Sequence, residues 1–324
     1  MVVGGAGYIG SHVCKELAHR GYTPVCYDNL VYGHKWAVKW GPLEIGDIAD
    51  GAKLREVMAK YKPRGVVHLA AFAYVGESVI DPGKYYVNNV GGTLSLLDAM
   101  RASDVSTIVF SSTCAVYGVP KQVPITERTV PNPVNPYGAS KHMVERILQD
   151  YHNAYGLSFA ALRYFNAAGG DPEGEIGESH DPETHLIPLM LDAALGRRDS
   201  LTVFGGDYPT PDGTCVRDYI HVTDLARAHV LALRALTDKK KDFLIVNLGT
   251  GTGHSVLDMI RVVEEISGVK VPYTVAPRRE GDPPVLVADP AEALRQLSWK
   301  AEYPQLVQIV KHAWDFRQKT TAKI

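Results

Sequence analysis

Residues 2–12 read VVGGAGYIGSH, and this stretch constrains the fold more than any other. Gly4, Gly7 and Gly10 stand in GxxGxxG spacing between a short apolar run and a segment of helical periodicity. A strand that turns through glycines into a helix points backbone N–H groups at the positive helix end, where a pyrophosphate is held. Asp28 closes the next apolar run, 18 residues after Gly10. A carboxylate there accepts hydrogen bonds from an adenosine ribose. No arginine follows it directly, so the pattern selects NAD over NADP. Asp47, in "GDI" at the end of the third run, falls near the expected adenine. A glycine turn alone also serves plain helix–strand packing. Strand, turn, helix and acid together favour the cofactor. Only three residues precede Gly4, so the first strand is short and the natural chain is expected to begin earlier.

The rest of the first half repeats the alternation. Apolar runs at 23–28, 42–47, 65–71, 106–112 and 158–165 suit strands buried on both faces. Helical stretches at 9–21, 51–61, 82–102 and 136–155 separate them. Such alternation predicts an α/β fold with a parallel sheet. Past residue 166 the segments 167–185 and 205–219 are polar and glycine-rich, and long loops in a compact chain usually bind something. "DFLIVNLGTG" (242–251) reads as a strand that rejoins the sheet. The expected organisation is an NAD-binding domain over 1–165, with 215–252 partly returning to it, and a smaller interleaved domain over 166–324.

A formal net charge of -2 in 324 residues gives no attraction to nucleic acid or to an anionic membrane. No apolar run approaches bilayer length, and the amino end does not read as a signal peptide. Cys14, Cys26, Cys114 and Cys215 are far apart and read as free thiols, which predicts a cytoplasmic location. The twelve histidines form no HxxxH or HxH pair, so a metal site has no positive support.

"NPYGASK" (135–141) carries the chemistry. Asn135 suits a helix cap and Pro136 the first helical position. Tyr137 and Lys141, four apart, then share one face. A free phenol has a pKa near 10, and a neighbouring positive charge lowers it. Such a pair is suited to act as a general base.

The glycine turn, a Ser/Thr after a strand, and Tyr-x-x-x-Lys make the chain resemble the extended short-chain dehydrogenase/reductase family. "YYVNNVGGT" (85–93), "SSTCAVYG" (111–118), "RYFNAAG" (163–169), "GTCVRDYIHVTDLA" (213–226), "NLGTGTGHSV" (247–256) and "RREGDPP" (278–284) narrow the likeness to its nucleotide-sugar 4-epimerases. The resemblance implies a doubly wound Rossmann sheet with a smaller mixed α/β substrate domain, bound NAD, a UDP-sugar substrate and a homodimer built on helices 82–102 and 136–155. The implied reaction interconverts UDP-glucose and UDP-galactose by inversion at C4 through a 4-keto sugar. By the same likeness Tyr8, Ile9, Asp28, Asn29, Asp47, Ile48, Leu69, Ala70, Asn88, Lys141 and Phe165 contact NAD beside the three glycines. Thr113 and Tyr137 touch the sugar, and Tyr137, Lys141 and Thr113 form the catalytic group. Asn166, Leu186, Phe204, Arg217, Tyr219, Arg279 and Asp282 line the uridine-nucleotide site. Guanidinium groups suit a diphosphate, although Arg217 also suits an ion pair with Asp218.

Three positions depart from the family pattern. Ala73 stands where relatives often have a lysine near the nicotinamide. His185 replaces a common asparagine and either bonds the diphosphate or sugar, or faces solvent. Leu286 stands where tyrosine restricts relatives to glucose and galactose and a small residue admits N-acetyl sugars. UDP-xylose/UDP-arabinose and UDP-N-acetylglucosamine epimerisation therefore remain alternatives. A 4,6-dehydratase carries an Asp-Glu pair just after the threonine, and a decarboxylase also needs a nearby carboxylate. Here Cys114 and Ala115 follow Thr113. A catalytically silent NAD sensor usually lacks the Tyr or the Lys, and this chain has both.

Overall fold

The structure, a computed structural model, describes residues 1–279 and 282–320. In chain order its strands are β1 (Val2–Val3), β2 (Cys26–Asp28), β3 (Leu43–Ile45), β4 (Val66–His68), β5 (Thr107–Ser111), β6 (Ser158–Tyr164) and β7 (Asn166–Ala168). Then follow β8 (Leu201–Phe204), β9 (Val216–His221), β10 (Phe243–Leu248), β11 (Gly253–Ser255), β12 (Tyr273–Ala276) and β13 (Val285–Leu286). Seven form one parallel sheet in the order β10-β6-β5-β4-β1-β2-β3. The chain winds outward from β1 in both directions, so the order reverses between β1 and β4. In open α/β sheets, ligands bind beyond the carboxyl ends of the strands flanking that point.

Alternation along the strands explains the two helical layers. Val2, Val67, Val109, Ala160 and Leu162 face the helices Tyr8–His19 and Val222–Thr237, meeting Val13, Leu17, Leu225 and Ala228. Their neighbours Val3, Val66, Ile108, Phe110 and Phe159 face the other way, onto Leu54, Leu97, Met100, Val144 and Leu148 of the helices Gly51–Tyr61, Gly92–Ala102 and Pro136–Tyr155. Each fully buried aliphatic side chain contributes about 1.5–3 kcal/mol. β10 rejoins the sheet beside β6, as its apolar run predicts.

A second core lies under a smaller sheet in which β9 pairs with β7, β11 and β13. The polar segment 205–219 is therefore a loop only to residue 215, and Val216–Tyr219 belong to β9. Arg217 and Asp218 mask this strand in the sequence because both are polar, yet both are buried. The stretch 167–185 holds the last residues of β7 and a single bridge from Gly170 to Gly177, and is otherwise loop. Among the described residues no helix is long and apolar enough to cross a membrane.

Candidate active site

The glycine turn leaves the carboxyl end of β1 at the reversal point. Gly4 has φ +85°, and a Cβ there would lie 2.6 Å from the Ala70 nitrogen, so β1 and the end of β4 approach closely only through glycine. A Cβ on Gly10 would lie 2.0 Å from the Gly4 carbonyl oxygen. Gly7 differs: its Cβ would meet nothing nearer than 3.5 Å. It caps the helix Tyr8–His19 in extended conformation with no side-chain acceptor and no acid in the first turn. The helix end is thus free to hold an anion.

Asp28 accepts from the Ala6 nitrogen at 3.0 Å and the Leu30 nitrogen at 2.8 Å. It is a strut for the glycine turn at the end of β2, where the ribose acceptor is expected. Burial raises its pKa, and the two backbone bonds oppose the rise. Asn29 donates to Asp47 at 2.9 Å, which joins the ends of β2 and β3. The glycine cradle, the open helix end and these acids fit NAD. Tyr8 spends its hydroxyl on the Gly169 carbonyl at 2.7 Å. Asn88 donates to Asn89 at 2.9 Å.

The second half of the site begins at the end of β5. Thr113 accepts from the Ala115 nitrogen at 3.1 Å and caps the short turn Cys114–Tyr117. Opposite it the helix Pro136–Tyr155 starts as its sequence predicts: Asn135 accepts from the Gly138 nitrogen at 2.8 Å, with proline in the first turn. Tyr137 and Lys141 are both buried on this helix. The Lys141 ammonium donates to the Ser111 carbonyl at 2.8 Å and lies 6.0 Å from the centre of the Tyr137 ring. Burial brings the Lys141 pKa down to about 7, with Glu145 opposing. Burial, with Tyr164 adding to it, raises the Tyr137 phenol well above its usual value, and the Thr113 hydroxyl draws it back.

Several residues that motif reading passes over hold this group. Tyr137, Lys141 and Glu145 form one four-spaced row, a signal present in the sequence. Glu145 accepts from Ser112 at 2.5 Å and from Arg163 at 2.9 and 2.6 Å. Arg163 continues to Tyr117 at 2.9 Å, and Tyr117 to Asn247 at 2.7 Å. Asn89 binds both backbone groups of Phe72, at 2.9 and 3.0 Å, and donates to Ser140 at 3.1 Å. It fixes the loop after β4 to the Tyr137 helix.

The small sheet carries Asn166, Arg217 and Tyr219 of the expected nucleotide site. Arg217 donates to Asp282 at 2.5 Å. It does not pair with Asp218, because neighbouring strand residues point to opposite faces. Asp218 is instead saturated by the Thr250, Gly251 and Ala288 nitrogens and the Thr250 hydroxyl. Asn166 is registered with Tyr219, and Leu286 with Arg217. The Arg279 guanidinium stacks 4.0 Å over the Phe204 ring. Leu286 packs against a cluster containing Cys114 and Phe165, which brings the nucleotide side to the residues beside Thr113. Glu280 and Gly281 of "RREGDPP" lie outside the described residues. Leu186 opens the helix Leu186–Ala194. His185 has Glu178 at 2.8 Å and Glu183 at 3.3 Å as polar partners, and its side chain is 44% exposed. Ala73 is exposed.

A parallel sheet with a glycine turn at its reversal point, and a buried Tyr–Lys row across from it, defines a dinucleotide-binding protein of the tyrosine–lysine class. The chain belongs to the NAD dependent epimerase/dehydratase family, whose model matches residues 1–249. It is 53% identical over 320 residues to a UDP-glucose 4-epimerase of Rhizobium leguminosarum bv. trifolii, covering 99% of this chain and 97% of that relative. The structure is similar to that of UDP-glucose 4-epimerase from Brucella ovis in complex with NAD, with TM-score 0.94, 56% identity and coverage of 97% and 96% of the two chains. It is also similar to UDP-glucose-4-epimerase from Stenotrophomonas maltophila with bound NAD and formylated UDP-arabinopyranose. There the TM-score is 0.94 and the identity 40%, over 98% of this chain and 97% of that one.

Proposed function

We propose that the protein interconverts UDP-glucose and UDP-galactose by inverting the sugar at C4, with NAD held by segment 1–165 and the UDP-sugar largely by segment 166–324. The observation that carries this reading is the buried row of Tyr137 and Lys141 opposite Thr113, with no acid beside the threonine. Elimination of water needs an acid or base there. Cys114, its thiol raised to about 12 by burial, and Ala115 supply neither.

When bound, NAD accepts the C4 hydrogen as hydride and returns it to the opposite face. Gly4, Gly7 and Gly10, with Tyr8 and Ile9, cradle it; Asp28, Asn29, Asp47 and Ile48 take its adenosine, and Leu69, Ala70, Asn88 and Phe165 line the remainder. Tyr137 removes the C4 hydroxyl proton, because that hydroxyl cannot lose hydride while protonated. Thr113 hydrogen-bonds the same oxygen. Lys141 supplies positive charge beside the phenol, which offsets the burial that holds it protonated. Arg217 and Arg279 grip the diphosphate while the keto sugar turns about it, and Asn166, Tyr219, Phe204, Leu186 and Asp282 hold the nucleoside. Tyr137 then returns the proton.

The exposed apolar residues Val87 and Met143, on the two helical segments the resemblance singles out, support a homodimer through those segments. Four free buried cysteines suit a cytoplasmic protein. Turnover of UDP-galactose by Tyr137→Phe and Lys141→Ala tests the assignment: each loses about 10²–10⁴-fold, and near-normal turnover in either overturns it. Rates on glucose, N-acetylglucosamine and xylose UDP-sugars decide the preferred substrate.

A further inference from the structure

The loop before the helix Leu186–Ala194 gathers Glu178, His180, Glu183 and His185. One ligand atom from each lies within 4.8 Å of all the others. Both carboxylates are 8% exposed at the side chain. The His180 Nδ1 atom is buried, points into the group and has no hydrogen-bond partner among the described residues. It stands 3.4 Å from a Glu178 oxygen and 3.8 Å from a Glu183 oxygen. Nδ1 of His185 is 3.3 Å from Glu183. Four ligands bound tetrahedrally at 2.0–2.1 Å are separated by about 3.3 Å; the histidine–carboxylate gaps here run from 2.8 to 3.8 Å, with the two histidines nearest different oxygens of Glu183. Ion pairing accounts for the His185–Glu178 contact at 2.8 Å, and gives the His180 nitrogen only its two longer carboxylate contacts, with no hydrogen bond among the described residues.

The group is also held in place. Glu183 accepts from the Thr184 and His185 nitrogens at 2.9 and 3.0 Å, which orients its carboxylate. The Tyr74 hydroxyl donates to the Pro182 carbonyl at 3.0 Å, and His34 donates to the Ser179 carbonyl at 2.5 Å. The rings of Tyr8 and Tyr74 each meet His180 edge-on at 6.4 Å. These contacts anchor the loop to the glycine turn and to the segments after β2 and β4. A small cavity between Gly7, Tyr8, His34 and His180 separates it from the turn. A nearby cluster of Asp171, Glu173 and Glu175 differs because the Lys15 ammonium already fills it, with bonds of 2.6–2.9 Å.

We propose that Glu178, His180, Glu183 and His185 bind one divalent transition-metal ion of the zinc class, which pins the 178–185 loop against the glycine turn. Two imidazoles and two carboxylates are a ligand set that zinc accepts. The consequence for cofactor retention rests on the NAD reading above; metal binding does not. The test uses the NAD-loaded full-length protein, stripped with a chelator and dialysed. Titration with Co²⁺ followed by visible absorption, and with Zn²⁺ by calorimetry, is expected to give one ion per chain and the intense bands of tetrahedral cobalt. His180→Gln and Glu183→Gln are each expected to weaken binding roughly tenfold or more; an unchanged circular-dichroism spectrum verifies that the variants fold. Loss of binding in both variants supports the site. Failure of the unmodified protein to bind one equivalent, or unchanged binding in the two variants, overturns it whether or not the protein epimerises UDP-glucose. Dissociation of NAD, followed by dilution, is expected to slow when zinc is bound.

Discussion

The Lys141 ammonium donates to the Ser111 carbonyl at 2.8 Å and stands 6.0 Å from the centre of the Tyr137 ring. It is held by the end of β5, where we propose that it acts on the phenol as a placed charge. That charge is sensitive to pH, since burial lowers the Lys141 pKa from its ordinary 10.5 to about 7. Between those values the unfolded chain binds more protons than the folded one, so stability rises with pH across the window. The slope for one proton is at most about 1.4 kcal/mol per pH unit. Urea melts of the NAD-free protein between neutral pH and pH ~9 are expected to show this rise, and Lys141→Met to flatten it. Parallel profiles for the two proteins contradict the assignment.

Glu145 has the opposite dependence. Arg163, His142 and Ser112 hold its carboxylate below the ordinary 4.5 against the rise that burial causes. Its contribution is present above pH 4.5 and is lost as pH falls through the depressed folded value. Glu145→Gln leaves the buried Arg163 charge unpaired, a loss of about 3–5 kcal/mol. Chemical denaturation at neutral pH measures that loss. The variant's stability is expected to vary less with pH in the acid range than the parent's.

The glycine turn separates two roles. Gly10→Ala places a methyl 2.0 Å from the Gly4 carbonyl oxygen, so the turn must move and both stability and NAD content fall. Gly7→Ala meets nothing closer than 3.5 Å within the protein. It is expected to keep the melting temperature within a few degrees, about 1 kcal/mol, while losing NAD because the methyl intrudes on the phosphate side. Equal NAD content in Gly7→Ala and the parent contradicts the placement of the pyrophosphate.

We propose that Leu286 bears on the sugar. It is registered with Arg217 and packs against the cluster of Cys114 and Phe165. Leu286→Ala opens that wall, and the kcat/KM ratio for UDP-N-acetylglucosamine over UDP-glucose is expected to rise by about 10-fold or more, the effect of 1–3 kcal/mol in a pocket. An unchanged ratio removes Leu286 from the sugar site.

The strongly patterned parts of this structure were legible in the sequence for physical reasons. Gly4 and Gly10 have no steric alternative, and Asn135-Pro136 is a local helix start, so the turn and the helix of Tyr137 follow from short-range chemistry. Arg217 was harder to read. Its strand is polar because Asp218 is buried to bind three backbone nitrogens, a long-range purpose invisible to periodicity. The pairing of Arg217 with Asp282, 65 residues on, is likewise a product of the small sheet. The 178–185 cluster carries no paired-histidine signature because its side chains alternate as Glu-x-His and Glu-x-His. Glu145 was within reach, four residues beyond Lys141.

We propose that one carbon is oxidised and reduced again by the same hydride, with Tyr137 moving the proton. UDP-glucose carrying deuterium at C4 tests it most directly. Mass and NMR analysis of the UDP-galactose formed is predicted to show deuterium retained at C4, no deuterium in solvent and no net NADH, with Tyr137→Phe forming product at least about 10²-fold more slowly. Loss of the C4 label to water during conversion contradicts the account.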